Sequence, residues 1–162
     1  MTKVFHEFKA IIHPDSEILI LGSFPSVKSR ELHFFYMHPQ NRFWRVLSEI
    51  YQDDFINVSI EEKRNLLFRY HIALYDVIES CEIEGSSDAS IQAVQPTNIN
   101  DLIHKTRISQ IYLNGQKAFH LFEKYNKNSQ ISYQLLPSTS PANAKMTLGQ
   151  LIEAWKVINL KK

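Results

Sequence analysis

Short apolar segments at four places along the chain predict buried β-strands. They cover residues 17–21, 72–75, 108–113 and 132–136. Three of the four stop at a turn-forming pair, Gly22-Ser23, Asn114-Gly115 or Pro137-Ser138. The second segment leads directly into Asp76. We therefore expect four strands, each followed by a polar loop.

Between these segments, apolar residues recur every three or four positions, the spacing of a helix with one buried face. The predicted stripes are Phe43, Val46, Leu47 and Ile50; Leu66, Leu67 and Tyr70; Ala118, Leu121, Phe122 and Tyr125; and Leu148, Leu151, Ile152, Trp155 and Ile158. Strands that alternate with helices favour a parallel sheet covered on both faces. We therefore predict an α/β fold, a three-layer α/β/α sandwich around a short, mostly parallel four-stranded sheet.

The chain contains no internal repeat, linker or low-complexity tract. Its 162 residues fit one domain and leave little room for a second. A single domain over residues 1–162 is therefore expected.

Composition narrows the functional classes. Apolar residues make up 44% of the chain and charged residues 22%, as in globular rather than disordered proteins. Cys81 is the only cysteine, which excludes an internal disulfide and a cysteine-rich metal cluster within the chain. The histidines lack the spacing of a helical zinc site. We expect no cofactor, neither a metal ion nor an iron–sulfur cluster.

Location and partner are less constrained. No apolar segment approaches the roughly 20 residues of a membrane span, and residues 1–7 lack a secretion signal pattern. A cytoplasmic protein with no membrane partner is the expectation. The net charge of +1 neither indicates nor excludes nucleic-acid binding. Strong DNA binding usually goes with a larger basic excess, but an enzyme that scans and releases DNA could work with a local basic face.

The polar segments that follow the predicted strands mark the expected site. They are residues 22–29, 76–88, 114–115 and 137–143. In parallel α/β sheets, ligands bind beyond the carboxyl ends of the strands. The segment after the first strand contains three consecutive aromatic residues, Phe34, Phe35 and Tyr36, which could stack on a nucleic-acid base. The alternative is that two of them pack into the core, and we expect Tyr36 to face the base.

Five segments in order carry a resemblance to a known family. They are GSFPSVKSRELHFFYMHPQNRFW (22–44), LYDVIESC (74–81), GSSD (85–88), NGQKA (114–118) and LPSTSPAN (136–143). Together they resemble the uracil-DNA glycosylase superfamily, and within it the hypoxanthine (deoxyinosine) DNA glycosylase branch. The resemblance covers most of the chain, from Gly22 to Asn143.

One position distinguishes the branches. Phe24 stands where mismatch-specific relatives carry a catalytic asparagine. The hypoxanthine branch also lacks that asparagine, and its catalytic role is attributed to the asparagine of the HPxN segment. The resemblance therefore implies that Asn41 is catalytic, since an amide can hold a water and donate hydrogen bonds. The alternative is that Asn41 caps the helix that begins after it.

The implied activity is that of a monofunctional glycosylase. It would flip out a deaminated base, hypoxanthine above all, and hydrolyse its N-glycosidic bond, leaving an abasic site. No lyase step is expected. Three alternatives remain open: a uracil- or xanthine-directed glycosylase, a non-catalytic DNA-binding module, and a small-molecule α/β enzyme. The last would need a glycine-rich phosphate loop or an acidic metal cluster, and neither is evident.

The resemblance also implies a set of base contacts: Gly22, Ser23, Phe24, Tyr36, Asp76 and Asn114. The carboxylate of Asp76 could accept a hydrogen bond from the protonated ring nitrogen of hypoxanthine. A turn or cap residue is the alternative for Asp76, and Asp88 and Asn114 are equally ambiguous.

The implied partner is double-stranded DNA, bound by a monomer associated with the nucleoid. Small hydroxyls and free backbone amides of one loop could grip phosphates. The expected DNA contacts are Ser138, Thr139, Ser140, Pro141, Ala142, Asn143, Lys28 and Arg42, with Arg30 and Lys145 as further candidates. Pro141, Ala142 and Asn143 would form the wedge beside the flipped base. The alternative is an ordinary surface loop with solvated charges nearby.

Overall fold

A computed structural model describes residues 2–85, 87–126 and 130–159. Its strands are β1 (Thr2–Phe5), β2 (Ile18–Gly22), β3 (Ile72–Asp76), β4 (Ile78–Ile83), β5 (Gln92–Pro96), β6 (Gln110–Asn114) and β7 (Ser132–Leu136). Its α-helices are α1 (Val27–Leu32), α2 (Phe43–Tyr51), α3 (Ile60–Arg69), α4 (Ile99–Ile103), α5 (Gln116–Tyr125) and α6 (Leu148–Trp155). Short 3-10 helices cover Asp88–Ser90 and Lys156–Asn159.

The four predicted strands form one parallel sheet in the order β3-β2-β6-β7. Helices flank this sheet, so the predicted α/β/α architecture is confirmed. Every residue of β3 is buried, as expected of a strand covered on both faces. Gly22 and Asp76 lie opposite each other where β2 and β3 end, which brings two predicted site residues together.

The four predicted helical stripes correspond to α2, α3, α5 and α6. Phe43, Val46 and Leu47 bury one face of α2, which packs against α6. A capping box between Thr147 and Gln150 starts α6. Among the described residues, no helix is long and apolar enough to cross a membrane.

A second sheet was not expected from the sequence. Strands β1, β4 and β5 pair antiparallel in the order β1-β4-β5. The prediction that residues 76–88 form a polar loop is therefore wrong over β4, where Ile78, Ser80, Cys81 and Ile83 are buried. Because β1 pairs with β4, the N-terminal strand lies beside the site. The pairing continues past β1, where the backbone N–H of His6 donates to the carbonyl of Glu79 in β4 at 2.8 Å.

Candidate active site

A cavity of about 270 Å³ lies at the carboxyl ends of the parallel strands, the predicted place. All six residues expected to bind the base line it: Gly22, Ser23, Phe24, Tyr36, Asp76 and Asn114. Asn41 and residues 138–142 complete most of the wall. At roughly 30 Å³ per water molecule, this volume corresponds to about nine waters, which is enough room for a bicyclic base. Lys28, Arg42 and Asn143 lie outside this lining.

The aromatic run divides between core and cavity. Phe34 and Phe35 are buried in the core, with Phe35 reaching the cavity wall, and Tyr36 lines the cavity. The ring of Tyr36 stacks on Phe43 with centroids 4.1 Å apart. Its backbone adopts a left-handed conformation, φ 56°, which costs a residue other than glycine about 1–3 kcal/mol. This turn separates the core residues from the ring that faces the cavity.

The Tyr36 hydroxyl is buried and has no hydrogen-bond partner among the described residues. Burial, reinforced by the nearby carboxylate of Asp76, raises its pKa well above the ordinary range, and a weaker interaction with Asn114 opposes this shift. The phenol therefore stays protonated and presents a donor at the cavity wall.

A tight turn positions Asn41. The carbonyl of His38 accepts a hydrogen bond from the Asn41 backbone N–H at 2.9 Å. The His38 ring nitrogen Nδ1 accepts from the Gln40 backbone N–H at 3.1 Å, so the ring proton sits on Nε2. His38 itself lines the cavity, which the sequence interpretation did not anticipate.

Two hydrogen bonds fix the side-chain amide of Asn41. Its Oδ1 accepts from the Phe43 backbone N–H at 2.9 Å and from the Thr139 hydroxyl at 2.8 Å. The first bond lies at the start of α2, but the N-cap of that helix is Arg42 and has no side-chain cap, so the alternative that Asn41 is the N-cap is wrong. An amide oxygen has two acceptor lone pairs, so both are occupied. The amide nitrogen, which has no protein partner among the described residues, is left to donate to a ligand.

Thr139 is fully buried and links Asn41 to the end of β6. Its backbone N–H donates to Asn114 Oδ1 at 3.0 Å, and its hydroxyl accepts from Asn114 Nδ2 at 3.0 Å. The Asn114 side chain thus makes two hydrogen bonds to Thr139, one with its backbone and one with its hydroxyl, which orient that hydroxyl toward Asn41. The expected base contact of Asn114 stays a prediction.

Asp76 is held by a residue that the sequence interpretation missed. Its Oδ2 lies 2.8 Å from His6 Nε2, and both side chains are almost completely buried. The two residues are 70 positions apart, and His6 belongs to no recognisable motif. No local signal in the sequence could have identified this pair.

Gly22 provides the space in front of this carboxylate. A Cβ atom at Gly22 would lie 2.5 Å from Asp76 Oδ1 and 3.1 Å from the Tyr36 hydroxyl. Contacts under 3.0 Å require a neighbour to move. Glycine is therefore needed here for close approach, and Asp76 and Tyr36 converge on the same point.

Arg42 holds the Ser/Thr/Pro loop in place. Its guanidinium donates to the carbonyls of Ser140 at 3.1 Å, Asn143 at 2.9 Å and Met146 at 2.5 Å. The sequence interpretation expects Arg42 to contact a phosphate; in the structure, three loop carbonyls accept hydrogen bonds from its guanidinium. Trp155 adds a further restraint, donating from Nε1 to the Pro137 carbonyl at 2.9 Å.

The loop amides are not free, contrary to the expectation. The backbone N–H groups of Thr139, Ser140, Ala142 and Asn143 all donate to acceptors within the protein. Two of these acceptors are the hydroxyl oxygens of Ser138 and Ser140, at 3.1 Å each. A hydroxyl that accepts from a backbone amide still has its own proton to donate. The loop therefore offers serine hydroxyls rather than amides.

The remaining cations are distributed around the site. Lys28 and Lys145 are exposed, with Lys28 3.9 Å from Glu31. Arg30 donates to the Gly85 carbonyl at 2.7 Å and lies over the Phe24 ring.

In the GSSD segment, Ser86 and the side chain of Asp88 lie outside the described residues. Among the described residues, no three His, Cys, Asp or Glu side chains form a metal-binding group.

This fold and this site define the class of protein. The chain belongs to the uracil DNA glycosylase superfamily, whose profile matches residues 10–159, and the resemblance is thereby confirmed. The chain is 30% identical over 154 residues to the hypoxanthine DNA glycosylase of Methanosarcina acetivorans, covering 93% of this chain and 95% of the relative. It is 30% identical over 139 residues to the protein of the same name from Methanosarcina barkeri, covering 85% and 87%.

A solved structure agrees with this assignment. The solution structure of a candidate uracil DNA glycosylase from Methanosarcina acetivorans superimposes with a TM-score of 0.81. The two proteins are 29% identical, and the match covers 93% of each chain.

Proposed function

We propose that this protein is a monofunctional DNA glycosylase that flips hypoxanthine out of duplex DNA and hydrolyses its N-glycosidic bond. The observation that carries the proposal is the fixed amide of Asn41, which has a free donor at the wall of a base-sized cavity. The names of the two Methanosarcina relatives support the choice of base.

The reaction needs no strong nucleophile. As the bond from the sugar C1′ to the base nitrogen breaks, its electron pair leaves with the base and the sugar becomes oxocarbenium-like. A water oxygen then bonds to C1′, and the proton that this water releases neutralises the base. Because charge develops on both fragments, preorganised donors and a positioned water supply most of the catalysis.

Asn41 acts here through its N–H groups, since both lone pairs of its oxygen are engaged. It can donate to the departing base or to the oxygen of the attacking water. Either contact is preorganised by Thr139, so little rearrangement is needed during the reaction. This restricts the role implied by the resemblance, in which the amide oxygen could also have held the water.

DNA binding is assigned to the loop that Arg42 holds. The hydroxyls of Ser138 and Ser140 donate to phosphate oxygens, and Pro141 and Ala142 lie at the cavity rim, where a wedge would fill the space of the flipped base. Flipping costs a few kcal/mol, and less at a mismatched pair. Exposed Lys28 and Lys145 add phosphate contacts. The protein acts as a single-domain monomer on double-stranded DNA, in the cytoplasm and at the nucleoid.

The test is excision from duplex oligonucleotides that each carry one hypoxanthine, uracil or xanthine. Abasic sites are scored as strand breaks after alkali. We expect the fastest cleavage at hypoxanthine. Faster cleavage at uracil or xanthine would retain the class and change the base, whereas DNA binding without any cleavage would favour a non-catalytic module.

A further inference from the structure

Two polar atoms of opposite hydrogen-bonding character meet at the end of β2. A Cβ atom on Gly22 would touch Asp76 Oδ1 and the Tyr36 hydroxyl, at 2.5 and 3.1 Å, so both atoms lie at one place on the cavity wall. The Tyr36 hydroxyl is buried without a partner among the described residues. An unpaired buried hydroxyl costs free energy unless a ligand supplies the missing acceptor.

The carboxylate of Asp76 is held from behind by His6. The bond from His6 Nε2 to Asp76 Oδ2 is 2.8 Å long, and the His6 side chain is completely buried. The imidazole packs against the rings of Tyr75 at 4.4 Å and Phe8 at 4.6 Å, with Phe24 and Phe35 near 6 Å. This packing prevents the imidazole from turning away, so one carboxylate oxygen is fixed and the other faces the cavity.

The character of each group follows from these contacts. Nε2 of His6 donates to the carboxylate, which leaves Asp76 Oδ1 as an acceptor. The buried phenol of Tyr36 keeps its proton and is a donor. An acceptor beside a donor is the complement of a ring N–H beside a carbonyl.

We propose that His6 is a positioning residue, which fixes Asp76 so that Asp76 and Tyr36 together recognise the N–H/C=O edge of a base. Asp76 accepts from the ring N–H, and Tyr36 donates to the adjacent carbonyl. This inference rests on the proposed glycosylase function and adds the chemical feature that is recognised.

That feature is the one that deamination creates. Adenine presents a bare ring nitrogen and an amino group at this edge, and cytosine does the same. Deamination reverses both characters, giving hypoxanthine or uracil. In this site, adenine would place the lone pair of its ring nitrogen against the carboxylate of Asp76. It would also place an amino N–H against the hydroxyl proton of Tyr36. Sites built to hydrogen-bond a group reject analogues that lack it strongly, because their own polar groups are left unpaired. Guanine and thymine share this edge, so the edge separates hypoxanthine and uracil from adenine and cytosine only.

The test combines variants of the three residues with a base that lacks the edge. Purine itself has neither the ring N–H nor the carbonyl, so recognition of the edge contributes nothing to its excision. Single-turnover excision rates are measured for both bases in duplex DNA with the wild-type protein and with His6→Phe, His6→Gln, Asp76→Asn and Tyr36→Phe. Gln keeps an N–H donor toward Asp76, whereas Phe fills the volume without one. Thermal melting of each variant verifies folding.

We expect His6→Phe, Asp76→Asn and Tyr36→Phe to slow hypoxanthine excision roughly 10- to 100-fold, the scale of a lost hydrogen bond to a charged or buried group. Purine excision should change far less, and His6→Gln should restore most of the hypoxanthine rate. Equal losses on both bases would overturn the inference, as would failure of His6→Gln to rescue. Should His6→Phe not fold, Asp76→Asn and Tyr36→Phe decide by the same comparison. A wild-type protein that binds DNA and excises neither base contradicts the proposed function instead.

Discussion

The hydroxyl of Thr139 donates a 2.8 Å hydrogen bond to the side-chain oxygen of Asn41, across 98 positions of sequence. This bond sets which end of the Asn41 amide faces the cavity. Because Asn114 holds the other side of Thr139, the orientation of one catalytic candidate depends on two further strand-end residues. The HPQN segment and the Ser/Thr loop therefore form one functional unit.

Replacing Thr139 tests that dependence. Thr139→Val keeps the shape and removes the hydroxyl, so the Asn41 amide loses one restraint and the half-buried Asn114 amide loses its acceptor. We expect hypoxanthine excision to fall roughly 10- to 100-fold and stability to fall by about 1–3 kcal/mol. Thr139→Ser, which retains the hydroxyl, should keep most of the activity. Undiminished single-turnover rates in Thr139→Val would show that the restraint is dispensable.

Gly22→Ala should block the cavity. The added methyl group would lie 2.5 Å from Asp76 Oδ1, so the carboxylate or the strand must shift. We expect base excision to fall by more than about tenfold, the result of displacing a buried charged partner. Gly149→Ala is the matched control, because the nearest atom to its Cβ would be Thr147 Oγ1 at 4.0 Å. That helical substitution should stabilise the protein by roughly 0.5–1 kcal/mol. Equal activity of the two variants would contradict this account.

Arg42 and Lys145 should differ in their salt dependence. A lysine that contacts a phosphate lowers the salt slope of DNA binding by about one when it is removed. We expect that result for Lys145→Ala. Arg42→Met should leave the slope unchanged while it lowers affinity and melting temperature, because the loop carbonyls lose their donors. Binding isotherms at several salt concentrations measure both, and a reduced slope in Arg42→Met at an unchanged melting temperature would restore the phosphate role.

Buried tyrosines should make the protein sensitive to alkali. Burial raises the pKa of Tyr36, Tyr51 and Tyr75, so these phenols stay protonated in the folded protein. In the unfolded chain they ionise near pH 10. Above that pH the unfolded state binds fewer protons than the folded state, so the free energy of unfolding falls as pH rises. Tyr36→Phe should reduce this slope by about 1.4 kcal/mol per pH unit, one proton's worth. Denaturant titrations from pH 8 to 11 measure it, and an unchanged slope would mean that Tyr36 ionises in the folded protein.

The parallel sheet was predictable because each of its strands contains a local apolar segment. In β7 this segment is only Leu135 and Leu136, whereas Ser132, Tyr133 and Gln134 are exposed, so the prediction of a buried strand is wrong for these three residues. The antiparallel sheet was not, since β5 exposes most of its residues and β4 mixes buried Ile78 and Cys81 with exposed Glu79. Its stability depends on pairing between β1, β4 and β5 rather than on local pattern.

The site shows the same division. Motif and strand-end position identified Asn41, Asp76 and Tyr36, all of which line the cavity. The partners that orient them were not identifiable, because they come from distant segments: His6 for Asp76 and Thr139 for Asn41. The charge of Arg42 predicts a phosphate contact, whereas its hydrogen bonds to the loop carbonyls cannot be predicted from the sequence.

The central claim is that Asn41 catalyses removal of hypoxanthine, and one measurement tests it most directly. Single-turnover excision of hypoxanthine from duplex DNA is compared for the wild-type protein, Asn41→Ala and Asn100→Ala, an exposed asparagine on α4 that serves as the control. We expect Asn41→Ala to lose roughly 10²- to 10³-fold in rate, the scale of a lost transition-state donor, while it still binds the DNA. Asn100→Ala should match the wild type. An Asn41→Ala protein as fast as the wild type, or a wild-type protein that binds hypoxanthine-containing DNA without cleaving it, would contradict the account.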